Sequence, residues 1–163
     1  MPGTDDAWKA LLQVNDWIKL ADAKAAAALA GSGVLGGLLV RGFPQPYAWA
    51  HQPWHAVLML ASFLLVSAST LLALTAVAPR LHRRGRPSIV YFGHIAHHYA
   101  ELHDFKAAFL PALEREGQLR ELLAEQLWTN SRIARGKLQK VSLSIWLLGG
   151  GLTTAALAGL LRS

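Results

Sequence analysis

Four histidines come closer than any other residues of this sequence to the spacing of a chemical site. They fall within one short segment, as His94, His97, His98 and His103. His94 stands three and four residues before His97 and His98, the spacing that puts paired metal ligands on one face of a helix. The sequence has no cysteine, so a thiolate site is excluded. A metal or haem membrane protein built on these histidines is one hypothesis, and solvated histidines are the simpler explanation.

A glycine-rich segment imitates a second kind of site. The letters GSGVLG at positions 31–36 match the GxGxxG pattern of dinucleotide-binding proteins, yet they lie inside an apolar block that no strand precedes. We reject that interpretation. Gly33 and Gly37 form a GxxxG pair instead, and Gly149 and Gly150 are small residues of another apolar block, which favours close helix packing or oligomerisation. Because no nucleophile, base and orienting group come together, we expect no catalytic residues and no enzyme activity.

Five polar residues interrupt apolar helical stripes. Asn15 and Asp22 fall on the apolar face of one expected helix, and Gln126, Asn130 and Lys137 fall on that of another. Burying an amide or a charge without a partner costs a few kcal/mol, so these side chains should pair with one another or with a ligand. Two interpretations stay open. One is a structural clamp that fixes helix register, with an Asp22 to Lys137 ion pair, and the other is a binding site near a membrane.

Three apolar blocks define the elements that carry these residues. A helix needs about 20 mostly apolar residues to cross a bilayer, and the blocks predict spans at about 22–40, 56–78 and 141–161. The hydrophobic content of 53% exceeds that of an ordinary soluble domain. The sequence therefore predicts an all-α integral membrane helical bundle with three transmembrane helices.

Positive charge is concentrated on one side of these spans. Basic residues follow the second block and precede the third, namely Arg80, Arg83, Arg84, Arg86, Arg132, Arg135, Lys137 and Lys140. The connection 41–55 contains one Lys or Arg. By the positive-inside rule we expect the N-terminus and 79–140 in the cytoplasm and the C-terminus outside. Topology thus explains the net charge of +6, and we expect no nucleic-acid partner.

Two of the spans extend into the cytoplasm as long helices. Apolar spacing continues from Thr4 into the first span, and again from Gly117 into the third. Between them we expect one further helix over 88–110, with Pro111 and Gly117 bracketing the turn to the last helix. The cytosolic helical region 79–140 then packs with 4–21, and residues 1–163 form a single membrane domain.

Three segments in order give the chain a resemblance to a known family. They are WIKLADAKA at 17–25, YFGHIA at 91–96 and QLWTNSRIARGK at 126–137. The order ADxKA, FGxIA and QxWxNSxIxxxK, followed by a terminal span, resembles the Pycsar transmembrane effector family. This resemblance covers nearly the whole sequence.

The resemblance implies a role in antiphage defence. A partner pyrimidine cyclase would make a cyclic mononucleotide, cUMP or cCMP, which activates the effector to impair the bacterial inner membrane and cause abortive infection. The cyclic nucleotide is then an activating ligand, with no cofactor, and a homo-oligomer in the lipid bilayer is expected. Since no separate nucleotide-binding domain is visible, the cytosolic helices themselves must bind the ligand.

Candidate contacts follow from ligand chemistry. A cyclic phosphate needs a cation, a pyrimidine edge needs amides, and a base face needs an aromatic ring. The candidate ligand-binding residues are Asn15, Asp22, Lys24, Phe92, His94, Tyr99, Gln126, Asn130, Arg132 and Lys137. The alternative to a nucleotide-gated effector is a constitutive structural or scaffolding membrane protein, in which the aromatic rings only pack and the polar residues only clamp the helices.

Overall fold

The computed structural model describes residues 4–78, 89 and 92–161, and the regular elements in these ranges are all α-helices. In chain order they are α1 (Thr4–Arg41), α2 (Pro46–His51), α3 (Pro53–Val77), α4 (Phe92–His98), α5 (Leu102–Glu114) and α6 (Glu116–Leu160). The predicted all-α fold is confirmed. Several residues of the sequence argument lie outside the described part, namely Arg80, Arg83, Arg84, Arg86, Tyr91 and the side chains of Phe92 and His94.

Three of these helices are long and apolar enough to cross a membrane. They are α1, α3 and α6, with 38, 25 and 45 residues. At a rise of 1.5 Å per residue, α6 is about 68 Å long, roughly twice the thickness of a hydrocarbon core. The expected number of spans and the continuation of two of them beyond the bilayer are therefore confirmed. Helix α2 occupies part of the connection between the first two spans.

The described part of the chain divides into two compact units. Unit 1 comprises Met1–Lys19 and Pro79–Arg135, and unit 2 comprises Leu20–Ala78 and Gly136–Ser163. The apolar blocks lie in unit 2, and the division falls close to the borders that those blocks predict. Helices α1 and α6 each contribute residues to both units.

Small side chains fill the contact between the three helices of unit 2. Ala25 of α1, Ala76 of α3 and Val141 of α6 form one buried cluster. Helices in a membrane gain little from burying large apolar groups, because lipid is equally apolar, so close contact between small residues is what brings them together. Large side chains such as Leu64 and Trp146 are accordingly exposed on the outer surface of the unit.

Three buried serines join these helices with hydrogen bonds. The Ser69 hydroxyl of α3 donates to the carbonyl of Ser144 in α6 at 2.8 Å, and the Ser144 hydroxyl donates to the carbonyl of Ser69 at 3.0 Å. Ser32 of α1 contacts the Ser69 hydroxyl at 3.3 Å. All three serines are at most 2% exposed. Each spanning helix thus supplies one hydroxyl to a single buried layer, which the sequence analysis did not anticipate.

Unit 1 has a small apolar core of its own. Leu11 of α1 packs with Leu119 and Leu123 of α6, and the less buried Ala7 and Leu127 pack against them. These residues recur at a spacing of four along their helices, which is the pattern of an amphipathic helix with one apolar face. The apolar stripes that the sequence predicts on the first and last helices therefore meet in this unit.

The expected single helix over 88–110 is wrong where the chain is described. Helix α4 ends at His98, and α5 begins at Leu102 after an extended Glu101. The break lets the Tyr99 ring pack edge-on against Phe105 at 5.5 Å. In an uninterrupted helix residues six apart point in different directions, so this contact requires the break.

The turn before the last helix falls between Pro111 and Gly117, as expected, but it is shorter than those two residues suggest. Pro111 lies inside α5, which ends at Glu114, and the single residue Arg115 separates α5 from α6. Proline removes one backbone hydrogen bond from a helix. Ala112, directly after it, is 2% exposed and is the buried residue of this turn.

Gly151 of α6 offers a test of the packing in unit 2. A Cβ atom at this position would lie 2.7 Å from Cγ2 of Val66 and 3.4 Å from the carbonyl oxygen of Ser62, whereas at Gly136 it would meet no described atom within 4 Å. We predict that Gly151→Ala lowers the free energy of unfolding by about 1 to 3 kcal/mol through overpacking. Gly136→Ala should be neutral or stabilising by up to about 1 kcal/mol, because alanine is the better helix former. Unfolding of the purified protein in detergent measures both, and equal stabilities of the two variants would contradict this packing.

Candidate functional site

A chain of three side-chain amides connects α1 and α6 within unit 1. Gln126 Nε2 donates to Asn130 Oδ1, and Asn130 Nδ2 donates to Asn15 Oδ1, each at 2.8 Å. Gln126 is 9% exposed. These bonds satisfy the polar groups that the helices bring into their apolar contact, as buried amides require. The two hydrogen bonds of this amide chain both run from Gln126 towards Asn15, so the Asn15 oxygen is an acceptor and its nitrogen is left as a donor.

An ion pair connects the same two helices within unit 2. Lys137 Nζ of α6 lies 2.5 Å from Asp22 Oδ1 of α1, and the side chains are 15% and 41% exposed. The sequence analysis proposed this pair. Lys140 of α6 donates to the Thr75 hydroxyl of α3 at 3.2 Å, so a second lysine joins another pair of spans nearby in the chain.

The two connections share one register. The paired residues of α1 and α6 are 115 positions apart in the sequence in the amide chain, and 115 apart again in the ion pair. Asn15 and Asp22 are separated by seven residues, as are Asn130 and Lys137. A repeat of seven is the spacing at which two helices keep the same faces in contact. The polar residues therefore occupy contact positions in each unit.

A cavity of about 290 Å³ opens between helices of unit 1. Its described lining is mostly apolar and aromatic: Trp8, Leu11, Leu12, Asn15, Ile89, Phe109, Leu113 and Leu119. Asn15 provides the only amide of this lining, and no Lys or Arg belongs to it. Leu12 and Leu113 are 60% and 42% exposed, so the cavity is open to solvent.

Aromatic rings stand beside this cavity. Phe105 of α5 stacks on Phe109 with a centroid distance of 5.1 Å and an interplanar angle of 24°. Tyr99 packs edge-on against Phe105. Phe109, which lines the cavity, is thereby held by a neighbour on its own helix.

The structure brings together five of the ten candidate ligand-binding residues in two separate groups. Asn15, Gln126 and Asn130 form the amide chain, and Asp22 and Lys137 form the ion pair. The remaining described candidates lie elsewhere, since Lys24 is exposed on α1, Tyr99 contacts Phe105, and Arg132 lies 4.9 Å over the Trp128 ring. Phe92 and His94 belong to α4, and their side chains lie outside the described part.

The four glycines proposed for helix packing differ in their surroundings. A Cβ atom at Gly33, Gly37 or Gly149 would meet no described atom within 4 Å, and at Gly150 it would lie 3.6 Å from Leu65 Cδ1. Gly151, next to them, makes the tight contact with α3. Close packing of α6 against α3 therefore depends on Gly151, whereas the GxxxG pair makes no close contact with the described part of the chain.

Histidines do not form a metal site in the described residues. No group of three or more His, Asp or Glu side chains there could hold a metal ion. The His97 and His98 rings contact each other edge to face, with centroids 5.3 Å apart. The metal or haem hypothesis therefore has no geometric support in this part of the chain.

Sequence reasoning missed the cavity itself. Of the residues that line it, the sequence analysis names only Asn15. Periodicity shows which residues turn inward. It does not show whether their side chains fill the space between three helices, so only the interaxial distances reveal a void.

Comparison with known proteins identifies related sequences. The family model described as Pycsar effector protein domain matches residues 6–162. The Pycsar effector protein PtPycTM of Propioniciclava tarda is 26% identical over 142 residues, which cover 82% of this chain and 67% of that protein. The Pycsar effector protein MePycTM of Micromonospora echinofusca is 44% identical over 36 residues, which cover 22% of this chain and 61% of that protein. No solved structure matches.

The ion pair of unit 2 can be tested by a double substitution. We predict that Lys137→Gln lowers the free energy of unfolding by about 1 to 2 kcal/mol, because Asp22 then lacks its cation in a half-buried position. Adding Asp22→Asn should restore most of this loss, since two amides can hydrogen-bond. Unfolding in detergent measures each step.

Lys19→Gln provides the matched control for this test. Lys19 pairs with Asp16 at 2.9 Å, but both side chains are more than 70% exposed, so we expect a change within about 0.5 kcal/mol. If Lys137→Gln costs no more than Lys19→Gln, the Asp22 to Lys137 pair does not stabilise the fold.

Proposed function

The chain belongs to the Pycsar effector family, and on that premise we propose that it is an antiviral defence membrane effector activated by a cyclic nucleotide. A partner nucleotide cyclase makes the messenger, cUMP or cCMP, and the activated effector impairs the inner membrane and causes abortive infection. The observation that carries the proposal is the family match, which extends over residues 6–162 and so includes the helices of both units. The chain performs no catalysis and needs no cofactor in this account.

A membrane location is supported by the three long apolar helices. The orientation follows from charge, because the basic residues of the sequence flank one end of the spans and loops rich in Lys and Arg stay in the cytoplasm. Unit 1 then lies in the cytoplasm, where a cyclase would release its product. The connection 41–55 and the segment after the third span lie on the other side of the inner membrane.

Two helices provide a route from ligand to membrane. Helices α1 and α6 contribute to unit 1, which holds the amide chain and the cavity, and continue without interruption into unit 2. A ligand that favours one packing of the unit 1 helices over another shifts the populations of those packings. Because the helices are continuous, such a shift acts on the spans through the backbone itself.

A homo-oligomer is supported by the outward glycines. Gly33 and Gly37 form a small-residue pair on α1 with no neighbour in the described chain, and Gly149 lies likewise on α6. In a membrane such positions let a second helix approach closely. We propose that copies of this chain meet there, and that the oligomer is the form that permeabilises the bilayer.

The candidate ligand contacts differ in whether their side chains are already bonded within the chain. Lys24 and Arg132 are exposed cations that can meet a phosphate, whereas Lys137 is already paired with Asp22. The amides Asn15, Gln126 and Asn130 can meet a pyrimidine edge only where a donor or acceptor remains beyond their mutual bonds. Phe92, His94 and Tyr99 complete the proposed set.

A constitutive structural protein is the alternative that one observation favours. The amide chain and the ion pair are bonded internally, as a clamp that only fixes helix register would require. This alternative predicts a folded protein that binds no cyclic nucleotide. It is therefore separated from the effector by one binding experiment.

Thermal unfolding of the full chain in lipid nanodiscs tests the proposed function. We predict that cUMP or cCMP raises the stability in a saturable way, because a ligand that binds only the folded state adds about 2.7 kcal/mol at 100 times its Kd. The panel should include cyclic purine mononucleotides, cyclic dinucleotides and linear UMP, the last as a control for the cyclic phosphate. A folded protein that none of the cyclic nucleotides stabilises would rule out direct activation.

A further inference from the structure

We propose that the cavity of unit 1 receives the base of the activating pyrimidine cyclic mononucleotide, an inference that rests on the proposed function. The residues concerned are Trp8 and Asn15 of α1 and Phe109 and Leu113 of α5. Of these, only Asn15 belongs to the candidates that the sequence suggested.

The lining of the cavity matches a base and not a phosphate. Apart from Asn15, its described residues are aliphatic or aromatic, and none carries a positive charge. A phosphate needs cations or several hydrogen-bond donors, whereas the face of a base gains from apolar and aromatic contact. The base therefore enters the cavity, and the cyclic phosphate remains hydrated outside its solvent-exposed mouth.

The hydrogen bonds of the amide chain leave Asn15 with a donor, so the partner of Asn15 must be a hydrogen-bond acceptor. Its Oδ1 accepts a hydrogen bond from Asn130 Nδ2, and Asn130 is oriented in turn by Gln126. Asn15 also lines the cavity, and no residue in the described part of the chain accepts a hydrogen bond from its Nδ2, so this donor is free for a ligand. Uracil and cytosine both carry a carbonyl oxygen at C2, which is the acceptor this donor requires.

The aromatic ring of Phe109 is positioned to stack on the base. Phe105 stacks on Phe109 and is itself packed against Tyr99, so the Phe109 ring is oriented before any ligand arrives. Trp8 adds a second aromatic surface from α1. Stacking of bases on aromatic side chains is a general source of affinity for nucleotides.

The size of the cavity limits the ligand to one nucleotide. Its volume of about 290 Å³ lies at the lower end of the range for ligand pockets, about 300 to 1,000 Å³. One pyrimidine base with part of its ribose fits this space. A cyclic dinucleotide carries two bases, and the second would remain in solvent without a partner.

The cavity also unites the helices that must respond. Trp8 lies on α1, Phe109 on α5 and Leu119 on α6, so a bound base touches all three helices. It contacts Asn15 in addition, and Asn15 is the α1 member of the amide chain. Binding there can therefore change how α1 and α6 pack within unit 1.

Titration of the full chain in nanodiscs with cUMP and cCMP tests this site. Leu113→Trp fills the cavity from α5, and we expect its Kd to rise at least tenfold. Leu110→Trp is the matched control, because Leu110 is 55% exposed on the same helix and does not line the cavity, and its Kd should stay within twofold. Asn15→Asp keeps the acceptor for Asn130 but removes the donor, and it should also weaken binding at least tenfold.

Fluorine NMR of protein labelled with 5-fluorotryptophan gives a second readout, measured on the wild-type cavity. The chain has six tryptophans, and Trp8→Phe assigns the resonance of Trp8. We expect saturating cUMP or cCMP to shift that resonance.

Failure of the site and failure of the function give different results. If the wild-type protein binds cUMP or cCMP while Leu113→Trp binds equally well and the Trp8 resonance does not move, the cavity is not the site and the proposed function stands. If the folded wild-type protein binds no cyclic nucleotide, both proposals are overturned.

Discussion

The pairing of polar side chains between α1 and α6 is the constraint on which the rest of the structure depends. Asn15 bonds to Asn130 in unit 1, and Asp22 bonds to Lys137 in unit 2, with the same sequence offset. A shift of one residue between the helices would leave these groups without partners in apolar surroundings, at a cost of about 1 to 3 kcal/mol for each neutral group. Apolar stripes alone tolerate such a shift more easily. The polar pairs therefore fix which leucines meet in unit 1 and which small residues meet in unit 2.

The polar pairs could be predicted from sequence, and other features could not. Helical periodicity is local information, so it placed Asn15 and Lys137 on apolar faces, and the cost of burial required partners for them. The serine layer could not be predicted, because a hydroxyl in a span can also donate to a carbonyl of its own helix, as Thr70 does to Val66. The sequence does not show which of the two hydrogen bonds forms. The break after His98 accompanies ring packing between Tyr99 and Phe105, which helical periodicity would place on different faces of one helix.

Hydrogen-bonded polar side chains within an apolar helix contact are suited to a protein that has a resting conformation and an activated one. The amide chain runs from Gln126 to Asn15, and Asn15 lines the cavity. A ligand at Asn15 would accept a hydrogen bond from the Asn15 side chain. Its affinity would therefore differ between helix packings that place Asn15 differently. In unit 2 the hydroxyl layer of Ser32, Ser69 and Ser144 holds the spans together through bonds of modest strength, about 1 kcal/mol each in a membrane. Such bonds can be exchanged without unfolding the helices.

The central claim is that a cyclic pyrimidine mononucleotide acts directly on this chain to permeabilise a membrane. The most direct measurement is release of a trapped fluorescent dye from lipid vesicles that contain only the purified protein. Our account predicts that cUMP or cCMP triggers release, that linear UMP does not, and that protein-free vesicles stay sealed with either. Vesicles that remain sealed at saturating cUMP and cCMP, with the reconstituted protein folded, would contradict it.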